Sequence, residues 1–319
     1  MLALAPVAAS AQAPAKQADT QAAVTTWQAR EARLFSIGWK LVTGNAAFCE
    51  NAEPAAGFLL HDAATYSDAD GVRRALGLSG DIAVQAVAAG SPADRAGLQP
   101  NDTIHSINEV MVERDFPFTE PAWQRLEDVR AAIGEELALS RPAIIGWQQP
   151  DGTPRGEALS PVQACPTWFE LRGKGTDAMA EGRRVIFGYE FPGFAYAEPE
   201  LAAAIAHELA HNLLGHRKWL DAAGRKRSNV RATEREADRL MPWLLANAGY
   251  SPRAAQEFMT RWGPRHDGGL LRKRTHDGWD ERAKFIAAEI ALIEPLLAET
   301  GSADWRWHFR RDVAPLRAN

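Results

Sequence analysis

The sequence is short of the features that mark several large functional classes. Beyond residue 20 no run approaches 18 apolar residues, so no transmembrane helix is expected. No long basic run occurs and the formal net charge is −5, which gives no footing for a nucleic-acid partner. Cysteine is scarce: Cys49 and Cys165 are the only two, and neither lies in a CxxC pair or a Cys/His cluster. Metal held by cysteine is therefore not expected. An even count in an exported chain points to one disulfide, the alternative being two buried free thiols. Joined, the pair would close a long loop and remove roughly 4–5 kcal/mol of unfolded-chain freedom in the loop-entropy treatment.

What is present is ordinary globular composition, 46% hydrophobic and 24% charged over 319 residues, enough for two domains. Eleven tryptophans are scattered without pattern. The first residues combine a short apolar stretch with Ala11-Gln12-Ala13, a small-residue site of A-x-A type, but lack a charged n-region. Residues 1–13 read as a signal-peptide remnant, which with the cysteine pair implies a periplasmic or secreted protein; the alternative is an Ala-rich tail. In the N-terminal segment 14–43, Lys16 to Thr26 is a polar spacer or a fraying helix start. Arg33 to Val42 fits strand and helix equally.

Asp81 to Ala88 alternates as a strand and runs into Gly90-Ser91-Pro92-Ala93-Asp94-Arg95-Ala96-Gly97-Leu98. Ser91 suits a helix N-cap and Pro92 its first turn. Gly97 suits a left-handed cap, and Asn101-Asp102 a turn into Thr103 to Ile107. This stretch resembles the strand, short helix, tight turn and strand of PDZ domains in exported bacterial proteases. The resemblance implies a PDZ-like domain over 44–166 with the helix of its peptide groove at Pro121 to Glu136, striped by Trp123, Leu126, Val129 and Ile133. Its carboxylate-holding loop would be Gly57-Phe58-Leu59-Leu60. Asp151-Gly152 is a hairpin-like pair closing the module. A PDZ-like fold that only spaces or docks a second domain is the competing possibility.

Glu200 to His211 contains HELAH, with His207 and His211 four residues apart and Glu208 between them. On a helix, residues four apart share a face, so both imidazoles can grip one Zn²⁺. Glu208 sits about 100° further round, placed to serve as a base without being a ligand. The flanks Leu201 to Ala206, Leu209 and Ala210 are apolar almost all round, so this helix is expected to be buried, where unpaired polar groups cost roughly 2–7 kcal/mol each. Arg183 to Tyr189 reads as a strand beside it, suited to pairing with an extended substrate.

A tetrahedral zinc needs a third protein ligand. A metzincin would have Gly and His where Leu214 and Arg217 stand, so that pattern is rejected, and His216 is expected to end the helix or lie at the surface. Thr233-Glu234-Arg235-Glu236-Ala237-Asp238 offers a glutamate 23 positions beyond His211. Glu234 and Asp238 share a helical face, so Glu234 can bind metal while Asp238 holds a ligand histidine. Glu236 lies about 200° from Glu234 and is expected to do neither. HELAH followed by ExxAD resembles the HtpX-like gluzincin metallopeptidases, as does Thr275-His276-Asp277-Gly278-Trp279-Asp280-Glu281-Arg282, with Asp277 in place of that family's proline. The resemblance, over about 180–298, implies that His276 and Arg282 stabilise an oxyanion or order the site.

The expected whole is α+β: a PDZ-like β-rich module, then a mainly helical zincin domain over 167–319. It carries one Zn²⁺ per chain on His207, His211 and Glu234. It is expected to be a metalloendopeptidase acting on protein or peptide substrates through a zinc-activated water, with Glu208 as base. The alternative is a zinc-containing chaperone or scaffold that binds protein tails and cuts little.

Overall fold

Strands dominate between residues 54 and 172 and helices beyond 190 in the computed structural model, which describes residues 12–139, 142–266 and 277–313. Most of the expected signal remnant, and His276, lie outside the described residues. Two units form: residues up to Arg33 with Pro54–Val162, and Leu34–Glu53 with Gln163 onward. The chain passes between them at the short strands Glu53–Ala55 (β1) and Val162–Ala164 (β8). This division differs from the expected linear boundaries at 44 and 166. The N-terminal segment is one helix, Gln12–Gly44 (α1), whose front part counts with the first unit and whose rear counts with the second.

The first unit is built on an antiparallel sheet. Its strands are Phe58–Asp62 (β2), Ile82–Val87 (β3), Thr103–Ile107 (β4), Ala143–Gln148 (β6) and Pro154–Leu159 (β7), in that spatial order, with Val110–Met111 (β5) on β4. Ser91 caps the short helix Pro92–Ala96 (α3), its hydroxyl accepting from the Asp94 amide. Gly97 closes that helix in the left-handed region, and Asn101 adopts φ 74° as its turn requires. Between β2 and β3 the chain forms a helix, Ala69–Leu76 (α2), capped by Asp68. After Val112–Asp115 (α4), the groove-type helix begins at Gln124, not Pro121, and runs to Ala138 (α5). Val129, Ile133 and Leu137 bury into the core with Ile82, Ile104 and Trp147. Trp123 precedes this helix and is 64% exposed, so it does not belong to the buried stripe. Arg125 does, held by Asp81 (3.0 Å), Glu113 (2.9 Å) and the Phe116 carbonyl (2.7 Å). The front of α1 docks by Gln28, which donates to Gln85 and Asn101.

In the second unit Leu34, Ile37 and Leu41 of α1 are fully buried at helical spacing. Gly38 faces Phe169 so closely that a Cβ would stand 2.2 Å from its ring. Cys49 and Cys165 are joined, 116 residues apart, both within this unit. Trp168–Arg172 (β9), Ala178–Ala180 (β10) and Arg184–Gly188 (β11) form a small sheet. In it β11 is central, parallel to β9 and antiparallel to β10. The helices come after it: Glu198–Leu213 (α6), His216–Ala223 (α7), Arg227–Asn247 (α8), Ala254–His266 (α9), Trp279–Thr300 (α10) and Trp305–His308 (α11). The apolar flanks of α6 are buried as expected, from Leu201 through Ala206 and again at Leu209 and Ala210. No described helix is long and apolar enough to cross a membrane.

Candidate functional site

Burial of α6 among α8, α9 and the small sheet leaves one polar strip, His207, Glu208 and His211, lining a cavity of about 990 Å³. His207 Nε2 and His211 Nε2 stand 3.3 Å apart. From α8, Glu234 brings Oε2 to 3.4 Å from His207 Nε2 and Oε1 to 3.7 Å from His211 Nε2. A tetrahedral ion with N and O ligands at its usual bond lengths spaces those ligands about 3.3–3.6 Å apart. The two nitrogens meet that spacing, Glu234 turns a different oxygen to each of them, and one ligand atom from each of the three residues lies within 4.8 Å of the others, so the group could hold a metal ion. It is the only such group of His, Cys, Asp or Glu among the described residues.

Each histidine has its far nitrogen occupied. His207 Nδ1 lies 3.1 Å from Asp238 Oδ1, one turn along α8 from Glu234. Arg282, from the start of α10, forks onto Asp238 with Nε donating to Oδ2 (2.6 Å) and Nη2 to Oδ1 (2.7 Å). Burial pushes Asp238 up, but Arg282 and His207 outweigh it and hold the carboxyl near 2. Burial likewise opposes charge on His207, and Asp238 and Glu234 more than reverse this, raising it to about 10. Two carboxylates from α8, Asp238 and Glu234, favour the charged form of His207. Arg282 thus reaches the site through Asp238. Asp277, standing where the resembled family has proline, pairs with Arg235 at 2.8 Å.

His216 and Glu236 are placed otherwise than expected. His216 is 1% exposed rather than at the surface, because Gly215 takes φ 65° and turns the chain straight into α7. Its Nδ1 lies 2.9 Å from His211 Nδ1 and its Nε2 lies 2.9 Å from Glu236 Oε2. Glu236 faces away from the ligand cluster, as its wheel position required, but it is fully buried and salt-bridged to Arg311. Burial raises Glu236, yet His216, Arg311 and the Val313 amide bring it down to about 2. Burial lowers His216 to about 4. His216, Glu236 and Arg311 are not expected at this site from the sequence. The only signal there is a third histidine nine positions after His207 and a second glutamate two after Glu234.

The rest of the cavity lining mixes apolar side chains with charged ones, Asp177, Glu181, Arg217 and Arg225 among the latter. One side is the edge strand β10, contributing Ala178, Met179 and Ala180; another is aromatic, with Phe187, Phe191, Phe258 and Trp262.

In the first unit, β2 is the edge of its sheet and α5 packs beside it. The backbone at Gly57 turns with φ 81°, and its carbonyl accepts from the Ala88 amide. Strand edge, flanking helix and the Ser91-to-Asn101 turn make one recognisable arrangement. Residues 84–133 match the PDZ domain family. No curated protein matches the chain. PDZ domains bind peptides by adding them as a strand to a sheet edge. Of the four residues expected to hold a peptide terminus, Gly57 precedes β2 and Phe58 is half-buried in it. Leu59 and Leu60 are buried, Leu60 in the core of the PDZ domain. Arg130 of α5 donates to the Leu60 carbonyl at 3.4 Å.

Proposed function

We propose that this chain is an exported zinc-dependent metalloendopeptidase of the HtpX-like gluzincin type, cleaving protein or peptide substrates in the cell envelope. The observation that carries this reading is the convergence of His207, His211 and Glu234 at one point, with Glu208 lining the same cavity. Zinc, when bound, supplies Lewis-acid polarisation of a carbonyl and lowers the pKa of water. Glu208 then serves as general base, taking a proton from the attacking water and returning it to the leaving nitrogen. Asp238, clamped by Arg282, keeps the proton of His207 on Nδ1 and its Nε2 lone pair toward Glu234. The edge of β10 offers backbone groups to an extended substrate, and the aromatic wall takes an apolar side chain. The PDZ domain is proposed to bind substrate or to regulate access.

The disulfide supports the exported setting, since such bonds persist in oxidising compartments. The test is casein cleavage by purified protein before and after chelation, with zinc restored. Cleavage abolished by chelator and recovered with zinc is expected. A zinc-loaded protein that leaves casein and denatured protein substrates intact would instead favour a zinc-containing scaffold.

A further inference from the structure

His216 and Glu236 take no part in the proposed chemistry, yet both are wholly buried, His216 directly behind the candidate ligand His211 and Glu236 behind His216. The hydrogen bonds around them run in one direction. Glu236 accepts from the backbone amides of Asp312 and Val313 and from Arg311 Nε, three groups that can only donate. It is therefore an anion with acceptors only, and the His216 nitrogen facing it, Nε2 at 2.9 Å, carries the proton. With His211 Nε2 turned toward His207 and Glu234 as a ligand lone pair, the single proton of a neutral His211 ring is on Nδ1, so His216 Nδ1 takes the accepting role. The two Nδ1 atoms stand 2.9 Å apart, with His211 the donor.

We propose that His216 and Glu236 are positioning residues for the candidate metal centre: Glu236 sets the proton on His216, His216 sets the proton on His211, and His211 is left with its Nε2 lone pair facing His207 and Glu234. Each candidate histidine ligand thus has its own anion-anchored relay. His207 is held directly by Asp238 under Arg282, and His211 at one remove by Glu236 under Arg311. Reversal of the second relay would place an N–H on His211 Nε2 and aim a donor at the metal position.

This inference rests on the metal-centre reading, so its test has one arm free of metal. In full-length, metal-free protein with ¹⁵N-labelled histidine, long-range ¹H–¹⁵N spectra should find His216 protonated on Nε2 and bare on Nδ1. His211 should be protonated on Nδ1. A proton on His216 Nδ1 overturns the relay whether or not metal binds. In the second arm, zinc affinity is measured by chelator competition for the wild type, His216→Leu and His216→Asn. Leucine removes the acceptor and should weaken binding about 10–100-fold, as loss of a ligand's hydrogen-bond partner typically does. Asparagine, whose Oδ1 replaces the Nδ1 acceptor, should recover most of that loss. Leucine binding zinc as tightly as the wild type, or asparagine no better than leucine, overturns the proposal. A wild type that binds no zinc overturns the metal-centre reading itself, and the metal-free spectrum tells the two failures apart. Should His216→Leu fail to fold, the wild-type spectrum alone decides.

Discussion

Asp238→Asn removes one charge and keeps the shape, so its cost can be worked out from the groups that face the carboxylate. That carboxylate accepts three N–H groups, from His207 Nδ1 at 3.1 Å and from Arg282 at 2.6 and 2.7 Å, with its side chain 1% exposed. An asparagine has one acceptor oxygen and would turn an N–H₂ toward a donor, so at least one charge-assisted bond is lost and Arg282, 14% exposed, loses its anion. Breaking such a buried pair from one side costs about 3–5 kcal/mol. Denaturant unfolding of metal-free protein should read a loss of that order, and zinc affinity should fall about 10–100-fold. The effect also has a pH signature. Asp238 is held near 2 against its ordinary 3.8, so its contribution is complete above pH 4 and is lost as pH falls towards 2. The depressed value accounts for about 2 kcal/mol of the wild-type advantage, so the gap between wild type and variant should narrow on acidification below pH 4. Unchanged stability, or a gap that stays constant into that range, would refute the clamp.

Glu234→Gln should weaken zinc binding more than Asp238→Asn does, because it replaces an anionic ligand atom with a neutral amide; equal zinc content in Glu234→Gln and wild type, measured by elemental analysis, contradicts the ligand set. Reducing the Cys49–Cys165 bond should lower stability by up to about 4–5 kcal/mol in the loop-entropy treatment, read as a drop in Tm; an unchanged Tm contradicts it. In the PDZ domain, a C-terminal peptide library should yield binders whose affinity falls on amidation of the terminal carboxylate, whereas binders indifferent to amidation place the groove's recognition elsewhere than Gly57.

Local chemistry is legible in the sequence wherever one stretch of chain sets its own geometry. Ser91, Pro92, Gly97 and Asn101 each do in the structure what their backbone preferences require. The buried HELAH helix is legible for the same reason, since its histidine spacing and apolar flanks need nothing from elsewhere. Features assembled from distant segments are not. Arg125 is buried only because Asp81 and Glu113 converge on it from other elements. The stretch around Gly38 fits strand and helix equally in the sequence, and only within α1 does Gly38 become the position that lets Phe169 approach. Glu236 is correctly turned from the ligand cluster by helical geometry, but a wheel cannot show that the opposite face of α8 is also buried, with His216 and Arg311 waiting there. The surface expectation for His216 fails because the turn at Gly215, which folds it back under His211, is visible only once both helices are placed.

The central claim is that Glu208 is a base and not a ligand, in a pocket where His207, His211 and Glu234 hold zinc. The most direct measurement is casein cleavage by wild type and Glu208→Gln side by side, both carrying stoichiometric zinc. The account predicts cleavage by the wild type and nearly none by the variant. Full activity in zinc-loaded Glu208→Gln would contradict it.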